Sequence, residues 1–282
     1  MRINDEIFKD NLSDKQFNLL KDFIEGTLGI KMPLSKKIMI ESRIRKRLRT
    51  LEIDHFSEYL DYVFNNPEGS QEVNNLIDVV TTNKTEFFRE KDHFIYLQNK
   101  SLPYLINSGG RFLKVWSAAC SSGEEVYSIG ITLAEFIQSS NKYVDFSILG
   151  TDISTEMLNK AYNAIYTIDS VRFIPKELLY KYFLKSKDLS KKIVRVISQL
   201  REKTSFKKLN FMDNHYNVDK FHIIFCRNAL IYFDQENQIR IVKNLVEHLE
   251  KKGFLFLGHS ESIINEKMGL KRLGPSIYQN MV

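Results

Sequence analysis

Two neighbouring carboxylates, Glu124 and Glu125, follow a run of small residues, Ser117 to Gly123, where the apolar pattern turns helical. Such a run lets a ligand approach backbone N–H groups at a helix N-terminus. A plain turn between a buried strand and a helix uses the same residues. About thirty positions on, Asp152 closes the apolar stretch Phe146–Gly150. One carboxylate there can accept both hydroxyls of a ribose diol, and an aspartate that merely ends a strand reads the same way. Asn210 and Phe211 pair a polar group with a ring, which suits a purine as well as a core. Arg227 and Asn228 close the run His222–Cys226, and Tyr232 follows four residues after Asn228. The stretch TTNKTEFFRE, residues 81–90, crowds Thr82, Asn83, Thr85 and Arg89 around Phe87 and Phe88. A linker pinned by two phenylalanines has the same composition. His259, in Gly258-His259-Ser260-Glu261, offers an imidazole for acid–base work or for a structural hydrogen bond. The two cysteines, Cys120 and Cys226, have no metal-ligand spacing, and no metal site is expected.

Strand ends must position these groups. From Phe112 onward strands and helices alternate, the pattern of an α/β domain with a doubly wound sheet. Phe112–Trp116 reads as a buried strand, and Val126, Ile129, Leu133, Phe136 and Ile137 mark the helix after it. Phe146–Gly150 is a second strand, and Ser154 caps a helix carrying Met157, Leu158 and Ala161. Residues 166–208 break the alternation. Pro175 opens a short helix there, and Ile193–Ile197 and Thr204–Lys208 read as two strands of a small β insertion. Gln235–Leu249 is an amphipathic helix, Phe254–Leu257 a strand, and Ser276–Met281 a final strand, antiparallel by hairpin. Open α/β sheets bind ligands outside the carboxyl ends of their strands. Asp152, Arg227 and Asn228 fall there.

Residues 1–80 read as all helix. Ser13 and Gln16 make a capping box, Phe17, Leu20, Ile24 and Leu28 one buried face, and Gly29 a stop. The next helix carries Ile40, Ile44, Leu48 and Leu51 on one stripe. Beside that stripe Lys36, Arg43, Lys46 and Arg47 fall within roughly 100° of arc. They make either a solvated face or a docking surface for acidic groups. The domain boundary falls near residues 80–90, giving a helical domain over 1–85 and a second domain over 86–282. The chain of 282 residues is 43% hydrophobic and 27% charged, as globular proteins are. It has no run of the ~20 apolar residues a membrane span requires. The opening MRINDEIFKDN has no signal-peptide core, and a cytoplasmic protein with reduced thiols is expected. The net charge of +6 permits an acidic partner without selecting one.

Five stretches taken together, TTNKTEFFRE, VWSAACSSGEEVYS, ILGTDIS, FHIIFCRNALIYFD and FLFLGHSES, resemble the CheR family, the chemotaxis-receptor glutamate methyltransferases. With the basic segment RIRKRLRTL the resemblance spans essentially the whole chain. It implies an N-terminal helical domain, a Rossmann-like S-adenosylmethionine domain and a small β subdomain. It implies cofactor contacts from Asn83, Thr85, Arg89, Glu125, Asp152, Asn210, Phe211, Arg227 and Asn228. Arg89 is then expected at the methionine carboxylate and Asp152 at the ribose. Arg89 and Tyr232 are the expected catalytic residues, Tyr232 lying near the methyl group. The reaction implied is methyl transfer from S-adenosyl-L-methionine to receptor glutamates, leaving S-adenosyl-L-homocysteine.

The implied partner is the cytoplasmic helical region of methyl-accepting chemotaxis receptors, met by Arg43, Lys46 and Arg47. Neither nucleic acid nor membrane insertion is expected, and the protein is expected to be a monomer. The alternatives are a non-catalytic S-adenosylmethionine-binding adaptor and an RNA methyltransferase. The latter lacks an aromatic platform interleaved with the basic helix. Two departures from the family pattern stand out, and the glycine-rich G-x-G pattern of many methyltransferases is missing. Ser122 replaces the usual threonine and Val126 a common proline. Gly123 is the only glycine of its loop, so Ala118, Ala119 and Ser121 must supply any close approach.

Overall fold

Ser13 starts the first helix, α1 (Asp14–Leu28), by the reciprocal pairing its sequence predicts. The Ser13 hydroxyl accepts the Gln16 N–H, and the Gln16 side chain accepts the Ser13 N–H. Gly29 then ends the helix at φ 67°, a left-handed conformation that glycine adopts without a Cβ penalty. The structure is a computed structural model describing residues 11–140, 142–262 and 268–282. The amino-terminal decapeptide, where no signal-peptide core was found, lies outside the described residues. The chain forms two units, Met1–Thr82 and Asn83–Val282.

The first unit continues with α2 (Lys37–Leu51), α3 (Phe56–Asn65) and α4 (Ser70–Val80). α1 packs on α3, and α2 and α3 pack on α4. Phe17, Leu20, Ile24, Ile40, Ile44, Leu48, Phe56 and Leu60 make its core. Two of the three arginine and lysine residues expected on a docking surface are used inside this unit. Arg43 Nη1 donates to the carbonyls of Val79, Val80 and Thr81 at 3.0, 3.2 and 2.7 Å, covering the acceptors that the end of α4 leaves open. Arg47 grips Glu72 in bidentate fashion, Nε to Oε1 at 2.8 Å and Nη2 to Oε2 at 2.6 Å. Of the three, only Lys46 is exposed. Helical spacing gave the arc shared by these cations, but not the α4 groups that face the same arc.

Glu72 is buried and also accepts the Tyr59 hydroxyl and the Asn75 amide. Burial works to raise its pKa, yet Arg47, Asn75 and Tyr59 hold it below the ordinary value. Arg47→Ala should therefore cost about 3 kcal/mol, the order found when one partner of a buried pair is removed. A carboxylate held low contributes its stability above the ordinary pKa of 4.5 and loses it as pH falls through the folded value. The gap between wild type and variant should accordingly narrow in acid. Denaturant unfolding of the full chain at neutral and acid pH reads this, and equal midpoints for both proteins at neutral pH would refute it.

The second unit begins with α5 (Lys91–Tyr96), a π-helical turn at Leu97–Ser101 and α6 (Leu102–Asn107). Then come β1 (Phe112–Ser117), α7 (Glu124–Ser140), β2 (Asp145–Asp152) and α8 (Thr155–Asn163). An excursion follows: β3 (Ile165–Thr167), α9 (Lys176–Tyr182), β4 (Phe183–Lys185) and β5 (Ile193–Val196). The chain returns through α10 (Ser198–Arg201), β6 (Thr204–Lys208), β7 (Phe221–Cys226), α11 (Gln235–Glu247) and β8 (Leu249–Leu257). It finishes with the hairpin β9 (Leu270–Gly274) and β10 (Ile277–Asn280).

The main sheet runs β6-β2-β1-β7-β8-β10-β9. Its first five strands are parallel, and β10 is antiparallel to both neighbours. This is the doubly wound sheet expected from the alternation, and the Rossmann-like domain that the resemblance implies. The extent of the β insertion needs correction. Thr204–Lys208 pairs in parallel with β2, from Ile148↔Thr204 to Asp152↔Lys208, so it is the edge of the main sheet. The small antiparallel sheet is β3-β5-β4. β3 and β4 have three residues each, too few for alternation to reveal.

The excursion is tied back firmly. The Val196 N–H donates to the Ala164 carbonyl at 3.1 Å, so its two ends meet. Phe87 packs edge-on against Tyr166 and Phe183, with centroids 4.9 and 5.5 Å away. The Tyr166 hydroxyl donates to the Ser122 carbonyl at 2.7 Å.

Candidate functional site

Ser117, the last residue of β1, lies in register with Gly150 of β2 and Phe225 of β7. β1 connects onward to β2 on one side, and β7 lies on its other side, so the strand order reverses here. This is the crevice where open α/β sheets bind ligands. The loop after β1 is stitched to both neighbours. The Ala118 N–H goes to the Phe225 carbonyl at 2.7 Å and the Cys120 N–H to the Thr151 carbonyl at 2.9 Å.

Asp152 is buried, and backbone amides orient it. Its Oδ2 accepts the Ser121 N–H at 2.8 Å and its Oδ1 the Ser154 N–H at 3.0 Å. Ser121 reaches this bond from a left-handed conformation, φ 48°. Gly123 does different work. At φ 93° a Cβ would stand 2.8 Å from the Ala161 Cβ and 2.9 Å from the Tyr166 hydroxyl. Packing against α8 and the small sheet thus accounts for the one glycine of the loop.

Arg227, directly after β7, is the hub of the site, its side chain 1% exposed. Nη1 donates to Glu125 Oε2 at 3.0 Å, Nη2 to Glu90 Oε2 at 3.1 Å, and Nη2 also to the Arg89 carbonyl. Glu125 Oε1 accepts the Ser117 hydroxyl at 2.7 Å. Glu90 Oε1 accepts the Asn228 amide at 3.0 Å and Oε2 the His259 N–H at 3.2 Å. Burial raises the Glu125 pKa, with Arg227 and Ser117 opposing it. Burial also works to raise Glu90, but Asn228, Arg227 and the His259 N–H overcome it and hold Glu90 low. Glu90, His93 and His259 gather possible ligand atoms within 4.8 Å of one another. The Arg227 guanidinium already stands against the Glu90 oxygen nearest both imidazoles, where a metal cation would be repelled. Burial and then Arg227 push His93 down to about 4, so near neutral pH it is an uncharged ring.

Residues 83–90 lie along this network. The Asn83 carbonyl accepts the Ser121 hydroxyl at 3.0 Å, and the Phe88 N–H donates to Ser128 Oγ at 2.9 Å. Arg89 Nη1 donates to the Lys84 carbonyl at 3.0 Å. Phe88 and Glu90 both take left-handed backbone, φ 54° and 55°. Such strain, about 1–2 kcal/mol per residue, persists where surrounding contacts enforce it. Asn83, Thr85 and Arg89 are half-buried. Asn210 Oδ1 accepts the Met212 N–H at 3.0 Å in the loop after β6. The Phe211 ring is buried 6.0 Å from Phe233 and 6.2 Å from Tyr216. Tyr232 ends a 3₁₀ turn, Leu230–Tyr232, and is half-buried.

Arg89, Glu125, Arg227 and Asn228 are thus joined in one network, and Ser121 links Asn83 to Asp152. Glu90 and Glu261 escaped the sequence reading, although both stand inside motifs it quoted. Their partners are separated from them by up to 169 residues. The donor set suits S-adenosylmethionine, which carries a ribose diol, a carboxylate and a net positive charge. Asp152 offers an oriented acceptor and Arg89 a cation. Three carboxylates, Glu90, Glu125 and Asp152, outnumber the two guanidiniums of Arg89 and Arg227.

Residues 83–277 match the family model described as CheR methyltransferase, SAM binding domain, and residues 15–81 match the CheR methyltransferase all-alpha domain. A chemotaxis protein methyltransferase of Borreliella burgdorferi is 36% identical over 98% of this chain and 96% of its own length. Those of Salmonella typhimurium and Escherichia coli are each 35% identical over 95% of this chain, covering 90% and 91% of theirs.

Proposed function

The chain belongs to the CheR methyltransferase family, and we propose that it methylates glutamate side chains of chemotaxis receptors, giving methyl esters that serve sensory adaptation. The cofactor is S-adenosyl-L-methionine, which supplies a methyl group on a positively charged sulfur. The observation that carries the reading is the convergence of Arg89, Glu125, Asp152, Arg227 and Asn228 at the ends of β1, β2 and β7. Asp152 holds the ribose, and Arg89, Asn83 and Thr85 hold the methionine end. Asn210 and Phe211 flank the base. Arg227 spends its donors on Glu90, Glu125 and the Arg89 carbonyl, so its part is to fix these groups in place.

The acceptor carboxylate has a reference pKa of about 4.3 and is already an anion near pH 7, so no residue must remove a proton. The work left to the protein is positioning and exclusion of water. Tyr232 orients the acceptor by a hydrogen bond. Tyr232→Phe should lower kcat about tenfold, within the typical cost of a lost hydrogen bond, while cofactor affinity is kept. Unchanged kcat would remove Tyr232 from the mechanism. Docking of the receptor helix falls to Lys46 rather than to Arg43 and Arg47, whose guanidiniums serve the helical unit. The protein acts as a cytoplasmic monomer.

The decisive experiment offers labelled S-adenosylmethionine with receptor-rich membranes and, separately, with total RNA. Label should enter the receptors and be released as methanol by mild alkali. Alkali-stable label, or label in RNA, would overturn carboxyl methylation. Cofactor binding without transfer would leave the adaptor reading.

A further inference from the structure

Glu261 is buried at the turn after β8, and two loops supply its partners. Its Oε2 accepts the Gly258 N–H at 2.6 Å and the Asn228 N–H at 2.9 Å. Its Oε1 accepts the Ile231 N–H at 3.3 Å. The residue is itself fixed at both backbone groups. Its N–H donates to the Gly258 carbonyl at 2.8 Å, and its carbonyl accepts the Ser276 hydroxyl at 2.9 Å. Burial pushes its pKa up, and the N–H groups of Gly258, Asn228, Ile231 and Leu230 pull against that. Backbone donors aimed at a carboxylate favour its charged form.

The two loops are in backbone contact. A Cβ at Gly258 would stand 2.7 Å from Asn228 Nδ2, 2.8 Å from the Asn228 nitrogen and 2.8 Å from Glu261 Oε2. Glycine is required there by close approach. Asn228 sits in left-handed backbone, φ 56°, and its N–H bond to Glu261 helps to hold that conformation. The next turn is Leu230–Tyr232.

We propose that Glu261 is a positioning residue, whose carboxylate gathers the N–H groups of Asn228, Ile231 and Gly258 and so sets the turn that presents Tyr232 at the strand ends. The role of Tyr232 rests on the methyl-transfer reading above. Charge and shape both matter. Both carboxylate oxygens accept, whereas a glutamine of the same size turns an NH₂ group toward one of the two sets of N–H donors.

Glu261→Gln and Glu261→Asp in the full chain test this, the second keeping the charge where the first fails to fold. Hydrogen exchange at residues 228–231 and 258 should quicken about tenfold or more in Glu261→Gln, the order of one lost hydrogen bond to a charged group, while α2 keeps its protection. Glu261→Asp should fall between it and wild type. In receptor methylation Glu261→Gln should lower kcat at unchanged receptor KM. Adding Tyr232→Phe to it should cost less than about twofold more, because coupled residues are not additive. Unchanged exchange at residues 228–231, or fully additive losses in the double variant, would overturn the proposal. Should the wild type transfer no methyl to receptors, the functional reading fails, and the exchange measurement still decides whether Glu261 anchors the turn.

Discussion

Replacing Arg227 with methionine is expected to lower folding stability by about 3–5 kcal/mol, the range for leaving buried charges without their partner. The guanidinium is the counter-charge of Glu125 and Glu90, whose side chains are only 12% and 13% exposed. Methionine keeps much of the volume, so the effect is electrostatic. It also carries a pH signature. In the wild type Glu90 is held low, so its contribution is present above 4.5 and is lost as pH falls through the folded value. In the variant burial acts without Arg227, and both carboxylates move upward. A carboxylate with a raised pKa contributes stability below its unfolded pKa and loses it as pH rises through the folded one. The deficit of the variant should therefore be larger at pH 8 than near pH 5. Denaturant unfolding at the two pH values measures it. A loss below about 1 kcal/mol at pH 8 would show that the ion pairs are not what holds this crevice together.

Asp152→Ala should weaken S-adenosylmethionine binding about ten- to a hundredfold, equivalent to the 1.5–3 kcal/mol of hydrogen bonds to a charged group. Titration calorimetry reads the affinity directly. The Ser121 and Ser154 N–H groups lose their acceptor in the same variant. A thermal unfolding curve without ligand therefore separates a loosened loop from a lost contact. The ligand should raise the melting temperature of the wild type, since it binds the folded state. Arg89→Ala should lower affinity by about tenfold through loss of its charge-assisted contact. Wild-type affinity in both variants would move the cofactor away from these strand ends.

Local signals, a small-residue loop opening a helix and an acid closing an apolar strand, marked Glu124, Glu125 and Asp152 as candidates, and the family resemblance singled out Glu125. The same local logic found Ser13, Gly29 and Ser154. It could not find Glu90 or Glu261, because the sheet order brings their partners near: the Arg227 guanidinium and the Asn228 amide for Glu90, the Asn228 and Ile231 N–H groups for Glu261. The partners of Glu90 lie more than a hundred residues away. Arg43 and Arg47 show the converse. Spacing put them on one side of α2, but only the packing of α4 placed carbonyls and Glu72 against that side. β6 was misread for a related reason: a short edge strand with mixed exposure carries no mark of which sheet it will join.

The small sheet leaves the chain at Ala164 and rejoins it at Val196, which makes it look like an attachment that could be unclipped. Its rings say otherwise. Tyr166 touches the backbone of Ser122, fills the space that a side chain on Gly123 would need, and supports Phe87 from the TTNKTEFFRE segment. The sheet is a buttress, and the loop that holds Asp152 leans on it. A force or a ligand that shifts this sheet has a short mechanical route to Asp152, through Tyr166, the loop of residues 121–123 and the hydrogen bond from the Ser121 N–H to the Asp152 carboxylate.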